Sequence, residues 1–401
     1  MHDELWHELT RLSATSPGSP DWRPVLFDLS AEEDEAALHR LLRSGSVRRV
    51  HDSVERQLAE LMAARDPAVS GSDAELDRRI RLHLAGRELT RYGTFVWYPW
   101  SGVLVRALPA AEFGELRTDR NRNKITRAEQ RRLSGTRIGV IGLSVGNAAA
   151  VTMALEGVGG FFRLADFDTL EMTNLNRIRA GLPDLGVEKT VLSARQMAEI
   201  NPYLDIERYP HGVRRDTVDD FLLAGGKLDL LVEECDDLHV KVAVRERARA
   251  HGIPVLMDTS DRGLLDVERF DLEPDRPILH GLLGDVRAED LDGLAAEAKI
   301  PIVLALLGER LLSPRMVASL PEIGKTISSW PQLASGVSLG GGIVTDAARR
   351  LLLGEPVASG RYYVDPGTLV TDDHRMYGDP AVSAPALAPS TVAGADAGYG
   401  R

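Results

Sequence analysis

Asp166 and Asp168 close a strand-like run, Phe161 to Ala165, and are followed by Asn174, Arg177 and Lys189. An acid at the end of a second strand, about twenty residues after a glycine-bearing turn, is placed to accept hydrogen bonds from a ribose. That turn is Gly142-Leu143-Ser144-Val145-Gly146. It follows the short apolar run from Arg137 and leads into an Ala-rich helical segment that stops at Gly157 and Gly159-Gly160. Strand, turn, helix, strand and acid give the outline of a nucleotide-binding βαβ unit. Taken singly, Arg177 and Lys189 read as surface charges, and Asp166 suits the ribose of NAD as well as that of ATP.

The turn itself is ambiguous. A strict G-x-G-x-x-G needs glycine where this chain has Ser144 and Asn147. The same residues fit G-x-S-x-G, the nucleophile elbow of a serine hydrolase, with Ser144 as nucleophile and His280 or His374 as the downstream base. No HGGG-like segment precedes it, and a hydrolase leaves residues 166 to 189 unexplained. The Gly-Lys-Thr at 324 to 326 is no P-loop, because the required earlier glycine is Ser319.

The run Asp166-Phe167-Asp168-Thr169-Leu170-Glu171-Met172-Thr173-Asn174-Leu175-Asn176-Arg177, followed by Lys189, resembles the ThiF/MoeB family. These adenylating enzymes are related to ubiquitin-activating enzymes, and their pattern is D-x-D-x-V-x-x-x-N-L-x-R, then a lysine, then an Asp ending a later strand. Asp236 in LDLLVEECDD matches the last element. The likeness continues through Ile200-Asn201-Pro202 and resumes from Gly336 to Asp365, so it spans residues 117 to 365. The first hundred residues and the altered turn look nearest to a bacterial subgroup otherwise fused to a nitroreductase-like half, which this sequence is expected to lack.

The resemblance implies a role for each residue. Asp166, with Asp168, would bind the ATP ribose side, beside the turn of Gly142, Ser144 and Gly146. Asn174, Arg177 and Lys189 would hold the triphosphate, and the cations would stabilise charge as pyrophosphate leaves. Asp236 would bind Mg²⁺, a hard ion that takes one or two carboxylates plus phosphate oxygens. Arg122 matches an upstream phosphate-binding arginine, with a shorter spacing to the strand; in such dimers that arginine commonly comes from the neighbouring subunit. The implied protein is a homodimer using ATP and Mg²⁺ to convert a carboxylate into an acyl-adenylate. That carboxylate would belong to a carrier protein, a peptide or a small metabolite. A third reading is a ThiF-like nucleotide-binding partner of a nitroreductase, without catalysis.

The elements that must position these residues are legible in outline. Strand-like runs at 137–142, 161–166, 205–210, 228–234 and 253–258 alternate with helical runs at 146–156, 189–200, 216–224 and 238–251. This predicts an α/β fold: a Rossmann-like, mostly parallel sheet with helices on both faces. Its ligand should lie at the carboxyl ends of the strands. Asp261 and Arg262, after the fourth crossover, are therefore candidates for substrate contact. Gly336 to Gly354 starts Gly-rich and reads as a late helix, and Arg361 to Val364 as a last strand.

Residues 1 to 116 are expected to form an α+β region, residues 117 to 371 the adenylation domain, and the Ala-, Pro-, Gly- and Ser-rich 372 to 401 a disordered tail. In the first region, Val54, Leu58, Leu61 and Met62 lie at helical spacing, and two strands flank Pro99 to Gly102. Trp97, Tyr98 and Trp100 are expected to seal it onto its neighbour. Thr126 and Glu129 have capping-box spacing. The sequence shows neither a signal peptide nor a membrane-length apolar run, which points to the cytoplasm. A net charge of −12 argues against a nucleic-acid surface. Cys235, the one thiol, excludes a multi-cysteine zinc site and is expected to serve packing.

Overall fold

The computed structural model describes residues 21–67, 73–291, 293–294, 296–308 and 311–370. The expected tail and the first twenty residues of the amino-terminal region lie outside them. The amino-terminal region opens with β1 (Val25–Asp28), α1 (Glu32–Arg43), β2 (Arg49–Asp52), α2 (Val54–Arg65) and α3 (Asp73–Leu84). It continues through β3 (Thr94–Tyr98), β4 (Val103–Ala107), α4 (Ala110–Arg117) and α5 (Arg127–Leu133). Its four strands make a mixed sheet in the order β1-β3-β4-β2.

Here α2 forms because Val54, Leu58, Leu61 and Met62 fall on one face, and all four are buried. His51 lies just before it in β2, whose four residues are all exposed. Thr126 caps α5 through the expected reciprocal bonds with Glu129. Trp100 donates from Nε1 to Glu199 at 2.7 Å, and Tyr98 donates to the Ala198 carbonyl. Trp97 lies buried in the region's own core with Phe27, Leu38 and Leu104. Tyr98 and Trp100 therefore join the region to its neighbour as expected, whereas Trp97 packs within the region itself.

The second sheet is built from β5 (Arg137–Ile141), α6 (Gly146–Glu156), β6 (Phe161–Ala165), α7 (Lys189–Ile200) and β7 (Asp205–Tyr209). After these come α8 (Val218–Leu223), β8 (Leu230–Glu233), α9 (Leu238–Ala250), β9 (Val255–Thr259) and β10 (Leu264–Glu268). The segment before the last strand holds α10 (Ala296–Leu307), α11 (Pro314–Ser319) and α12 (Ala334–Leu353), and β11 (Gly360–Tyr363) closes the sheet. The strand order is β11-β10-β9-β8-β5-β6-β7. From β9 to β7 neighbours run parallel, whereas β10 turns back antiparallel to both β9 and β11. The expected α/β architecture, with its α+β amino-terminal region, is therefore present.

Helices α6, α7 and α12 cover one face through Ala150, Met197 and Val344. Helices α8 and α9 cover the other through Phe221 and Val244. A Cβ at Gly341 would stand 2.8 Å from the backbone of Ala148, so α12 approaches α6 closely only because that residue is glycine. Gly354, at φ +80°, ends α12 in the left-handed cap that glycine favours. Among the described residues no helix is long and apolar enough to cross a membrane. The separate carboxyl-terminal unit contains a short helix, α13 (Pro366–Leu369), capped by the Asp365 side chain.

Candidate active site

Strands β5, β6 and β7 step outward in one direction and β8 and β9 in the other, so the strand order reverses between β5 and β8. Such a switch point opens a crevice at the carboxyl ends of the strands. The turn from Gly142 to Gly146 lies there. Gly142 has φ +83°, and a Cβ on it would stand 2.6 Å from the Glu234 carbonyl, so the turn crosses the end of β8 at backbone distance. Helix α6 starts at Gly146 with no side-chain cap on its first N–H groups, the arrangement that anions exploit.

Asp166 is tied on both oxygens. Oδ2 accepts from the Leu143 N–H at 2.6 Å and Oδ1 from the Asp168 N–H at 2.8 Å. Burial pushes its carboxyl up, against the pull of those two N–H groups and of Lys189. Each oxygen keeps a lone pair for a ligand hydroxyl. Lys189, the first residue of α7, is buried, and its ammonium donates to Asp168 Oδ2 at 2.7 Å.

Arg177 reaches back from the loop to the turn. Its Nε and Nη2 lie 3.2 and 3.0 Å from Ser144 Oγ, and Nη1 donates to Asn176 Oδ1 at 2.9 Å. Burial lowers the Arg177 pKa, and the charge of Asp236 opposes that shift. The exposed Asp236 thus acts on Arg177 from the end of β8. Asn174 is buried, and its Oδ1 accepts from the Glu171 N–H at 3.0 Å, which fixes the start of the loop.

The fold thus brings Gly142, Ser144, Gly146, Asp166, Asp168, Asn174, Arg177, Lys189 and Asp236 to one end of the sheet. Arg122 is elsewhere. It donates to Asp119 at 2.8 Å and to the Ala64 carbonyl, and lines a cavity with Gly157 to Gly160 at the amino-terminal ends of the strands. Within one chain it cannot reach the crevice. Asp261 accepts from the Ser313 N–H at 2.8 Å and still borders the crevice, whereas Arg262, at φ +55°, donates to the Leu311 carbonyl and stacks on Tyr363. Both tie down the segment that precedes α12.

Among the described residues a hydrolase triad does not assemble. Ser144 Oγ meets a guanidinium, and His280 is engaged with Asp266 and Arg276, each at 2.8 Å. His374 lies outside the described residues. The Cys235 Sγ lies 3.6 Å from the Asp237 carbonyl, and burial pushes its thiol well up, away from the thiolate a nucleophile needs.

Several residues had no sequence signal. A cavity of about 210 Å³ adjoins the turn over the ends of β8 and β9, and Glu234, Asp258 and Trp330 help to line it. Asp258 is 4% exposed, and neither carboxylate oxygen has a hydrogen-bond partner. Its N–H donates to Glu234 Oε1 at 2.7 Å. Burial raises the Asp258 carboxyl to about 7; burial and the nearby Asp258 charge raise Glu234 as well. On the opposite face of β8, the buried Glu233 accepts from Lys241 at 2.8 and 3.0 Å and from Arg245, which also binds Glu268 at 2.5 Å. Burial alone would raise Glu233, but these two cations hold it at about 2.

Residues 118–364 match the family model described as ThiF family. The chain is 49% identical over 271 residues to an uncharacterized protein of Mycobacterium tuberculosis, covering 68% of this chain and 38% of that one. It is 28% identical to the tRNA threonylcarbamoyladenosine dehydratase of Bacillus subtilis over 142 residues, 35% of this chain and 55% of the relative. To the molybdopterin-synthase adenylyltransferase of Haemophilus influenzae it is 24% identical over 181 residues, 43% of this chain and 71% of the relative. The chain therefore spans between about two fifths and just over half of the first two relatives' lengths. Among solved structures, that of TcdA (CsdL) aligns with a TM-score of 0.45 at 17% identity, covering 62% of this chain and 98% of that one.

Proposed function

The chain belongs to the ThiF family, and from that premise we propose that it transfers AMP from ATP to a carboxylate, making an acyl-adenylate and releasing pyrophosphate. The observation that carries this reading is the gathering of one ribose-side acid, two cations and one free acid at a single sheet end. Asp166 offers its remaining lone pairs to the ribose hydroxyls. Arg177 and Lys189 bear on the phosphates, and Ser144 and the start of α6 supply neutral donors.

Binding requires these cations to change partners. Lys189 now rests on Asp168 and Arg177 on Ser144, so each is held in place and can turn to phosphate oxygens without building a new position. The substrate carboxylate oxygen attacks the α-phosphorus. One O–P bond forms as the bond to pyrophosphate breaks, and the electron pair leaves on pyrophosphate. No proton moves, so the site needs no general base. Catalysis is then positioning and charge stabilisation.

Asp236, exposed at the end of β8 with its charge acting on Arg177, would supply one carboxylate to Mg²⁺ beside the phosphate oxygens. An ion completed by phosphate and water oxygens suits one protein carboxylate. When bound, Mg²⁺ would neutralise charge on the β- and γ-phosphates.

The homologies of this chain to an adenylyltransferase and a dehydratase acting on a modified tRNA base leave the carboxylate open. A homodimer would let Arg122 act on the partner's crevice, since it lies far from its own. The test is ATP–pyrophosphate exchange with Mg²⁺ across carboxylates and carrier peptides, beside calorimetric ATP binding. Lys189→Ala and Asp236→Ala should both lose exchange. Undiminished exchange in both variants would overturn the site.

A further inference from the structure

We infer that the carboxylate activated at this site also carries a protonated amine, and that Glu234 and Asp258 bind that amine in the cavity beside the turn. The inference rests on the activation reading above and narrows its substrate to amino acids or peptides with a free amine near the reacting carboxylate.

Two acids lie side by side here without a counter-ion. Asp258 is almost fully buried, its carboxylate oxygens make no hydrogen bond, and its own N–H is spent on Glu234. Two carboxylates held this close repel each other, and a buried carboxylate without a hydrogen bond is unfavourable as well. The neighbouring cation Lys241 relieves Glu234 only in part. Lys241 gives its ammonium to Glu233 on the other face of β8, and Arg361 sits 3.2 Å from Asp266. Among the cavity's titratable groups, the acids are left in excess.

The chain also keeps room for this carboxylate. A Cβ at Gly340 on α12 would stand 1.9 Å from Asp258 Oδ2, so any other residue there would expel it. Part of the remaining wall is apolar, from Val303, Leu306, Met316 and Trp330, beside polar groups that include Thr259, Asp261 and Gln332, and the apolar part suits an aliphatic body. The position fits the reaction as well. The Glu234 side chain comes within 3.4 Å of where a Cβ on Gly146 would stand, at the very start of α6. Asp236 follows two residues later. An amine held by the pair would therefore leave its carboxylate near the turn.

An ammonium matches this setting better than a metal ion. It donates about three hydrogen bonds, which the oxygens of two carboxylates can accept. A divalent ion takes six or more oxygens, and among the described residues no group of three or more acids, histidines or cysteines is poised to hold one.

The experiment is ATP–pyrophosphate exchange with matched probes: glycine, β-alanine, γ-aminobutyrate and glycylglycine against acetate, propionate, butyrate and N-acetylglycylglycine. The amine-bearing member of a pair should support exchange and its partner should not. Asp258→Asn and Glu234→Gln should each lower kcat/KM for the amine by about tenfold or more while ATP binding is unchanged, because each leaves a buried charge partner missing. Circular dichroism checks that both variants fold, and the isosteric changes remove a buried charge, which favours folding. Equal exchange with the des-amino acids overturns the inference. So does an unchanged amine preference in both variants, or exchange promoted by neither class in a protein that binds ATP. A parent protein that fails to bind ATP overturns instead the activation reading on which the inference rests.

Discussion

The ammonium of Lys189 rests 2.7 Å from Oδ2 of Asp168, joining the first residue of one helix to the loop that leaves the neighbouring strand. The same loop begins at Asp166, which holds the Leu143 N–H of the glycine turn. Three chain segments are thus fixed to one another through two acids before any ligand arrives.

Replacing Lys189 with alanine should lower ATP–pyrophosphate exchange by about 10²-fold or more, the usual cost of losing one donor aimed at developing charge. The thermal midpoint should move little, because Asp168 is half exposed and hydrates readily once released. Exchange kinetics and a melting curve separate the two effects. A large fall in stability with little loss of exchange would mean that the ion pair is structural.

Gly142→Ala should destabilise the fold by more than about 1 kcal/mol, since it combines a left-handed backbone with a steric clash. The added carbon would stand 2.6 Å from the Glu234 carbonyl, which cannot move without shifting the end of β8. Chemical denaturation measures the change. ATP affinity should fall with it, because the turn that would receive the phosphates is the part displaced.

Arg245→Met should cost about 3–5 kcal/mol, since it strands Glu233 and Glu268 without their shared partner in the core. The network also sets an acid limit. Glu233 is held at about 2 against an ordinary 4.5, so its contribution is complete above that ordinary value and is lost as pH falls toward 2. Acid denaturation of the parent and of Arg245→Met should show the variant unfolding at higher pH.

Asp258 behaves in the opposite sense. Its carboxyl is raised from 3.8 to about 7, so over that range the folded chain keeps a proton that the unfolded chain has released. Stability then falls as pH rises through the folded value. Asp258→Asn removes the penalty, and its gain in melting temperature over the parent should be larger at pH 8 than at pH 5. An equal difference at the two pH values would show that Asp258 titrates normally.

If Arg122 serves the partner's crevice, Arg122→Ala and Lys189→Ala should each be inactive alone and regain part of the exchange activity when mixed and allowed to swap subunits. Mixed dimers contain one crevice free of both changes. No recovery after demonstrated subunit exchange would place Arg122 outside the reaction.

Much of this architecture was legible in the order of residues. The alternating runs from Arg137 onward fall within a few residues of β5 to β9 and their helices, because parallel strands buried on both faces read as unbroken apolar runs. The offsets from Asp166 through Arg177 to Lys189 were readable for a similar reason: a loop and one helical start are local objects. By contrast β1, α1 and β2 carried no clear pattern. The two strands have four residues each and are mostly exposed, so burial imposed no alternation on them.

The sequence by itself determined which residues are available for phosphate and ribose, and the strand–helix alternation that carries them to one end of a sheet. Tertiary structure alone decided what stands beside them. Strand β8 inserts next to β5, which brings Glu234 under Gly142, and α12 lays Gly340 over Asp258 from 82 residues away. Contacts made across a strand reversal and a long crossover leave no periodic trace in the chain, because each partner satisfies only its own local geometry. The same separation sends Arg122 to the far end of the sheet. The turn that carries it, between α4 and α5, is held to the amino-terminal region through the Ala64 carbonyl, on the side opposite the crevice.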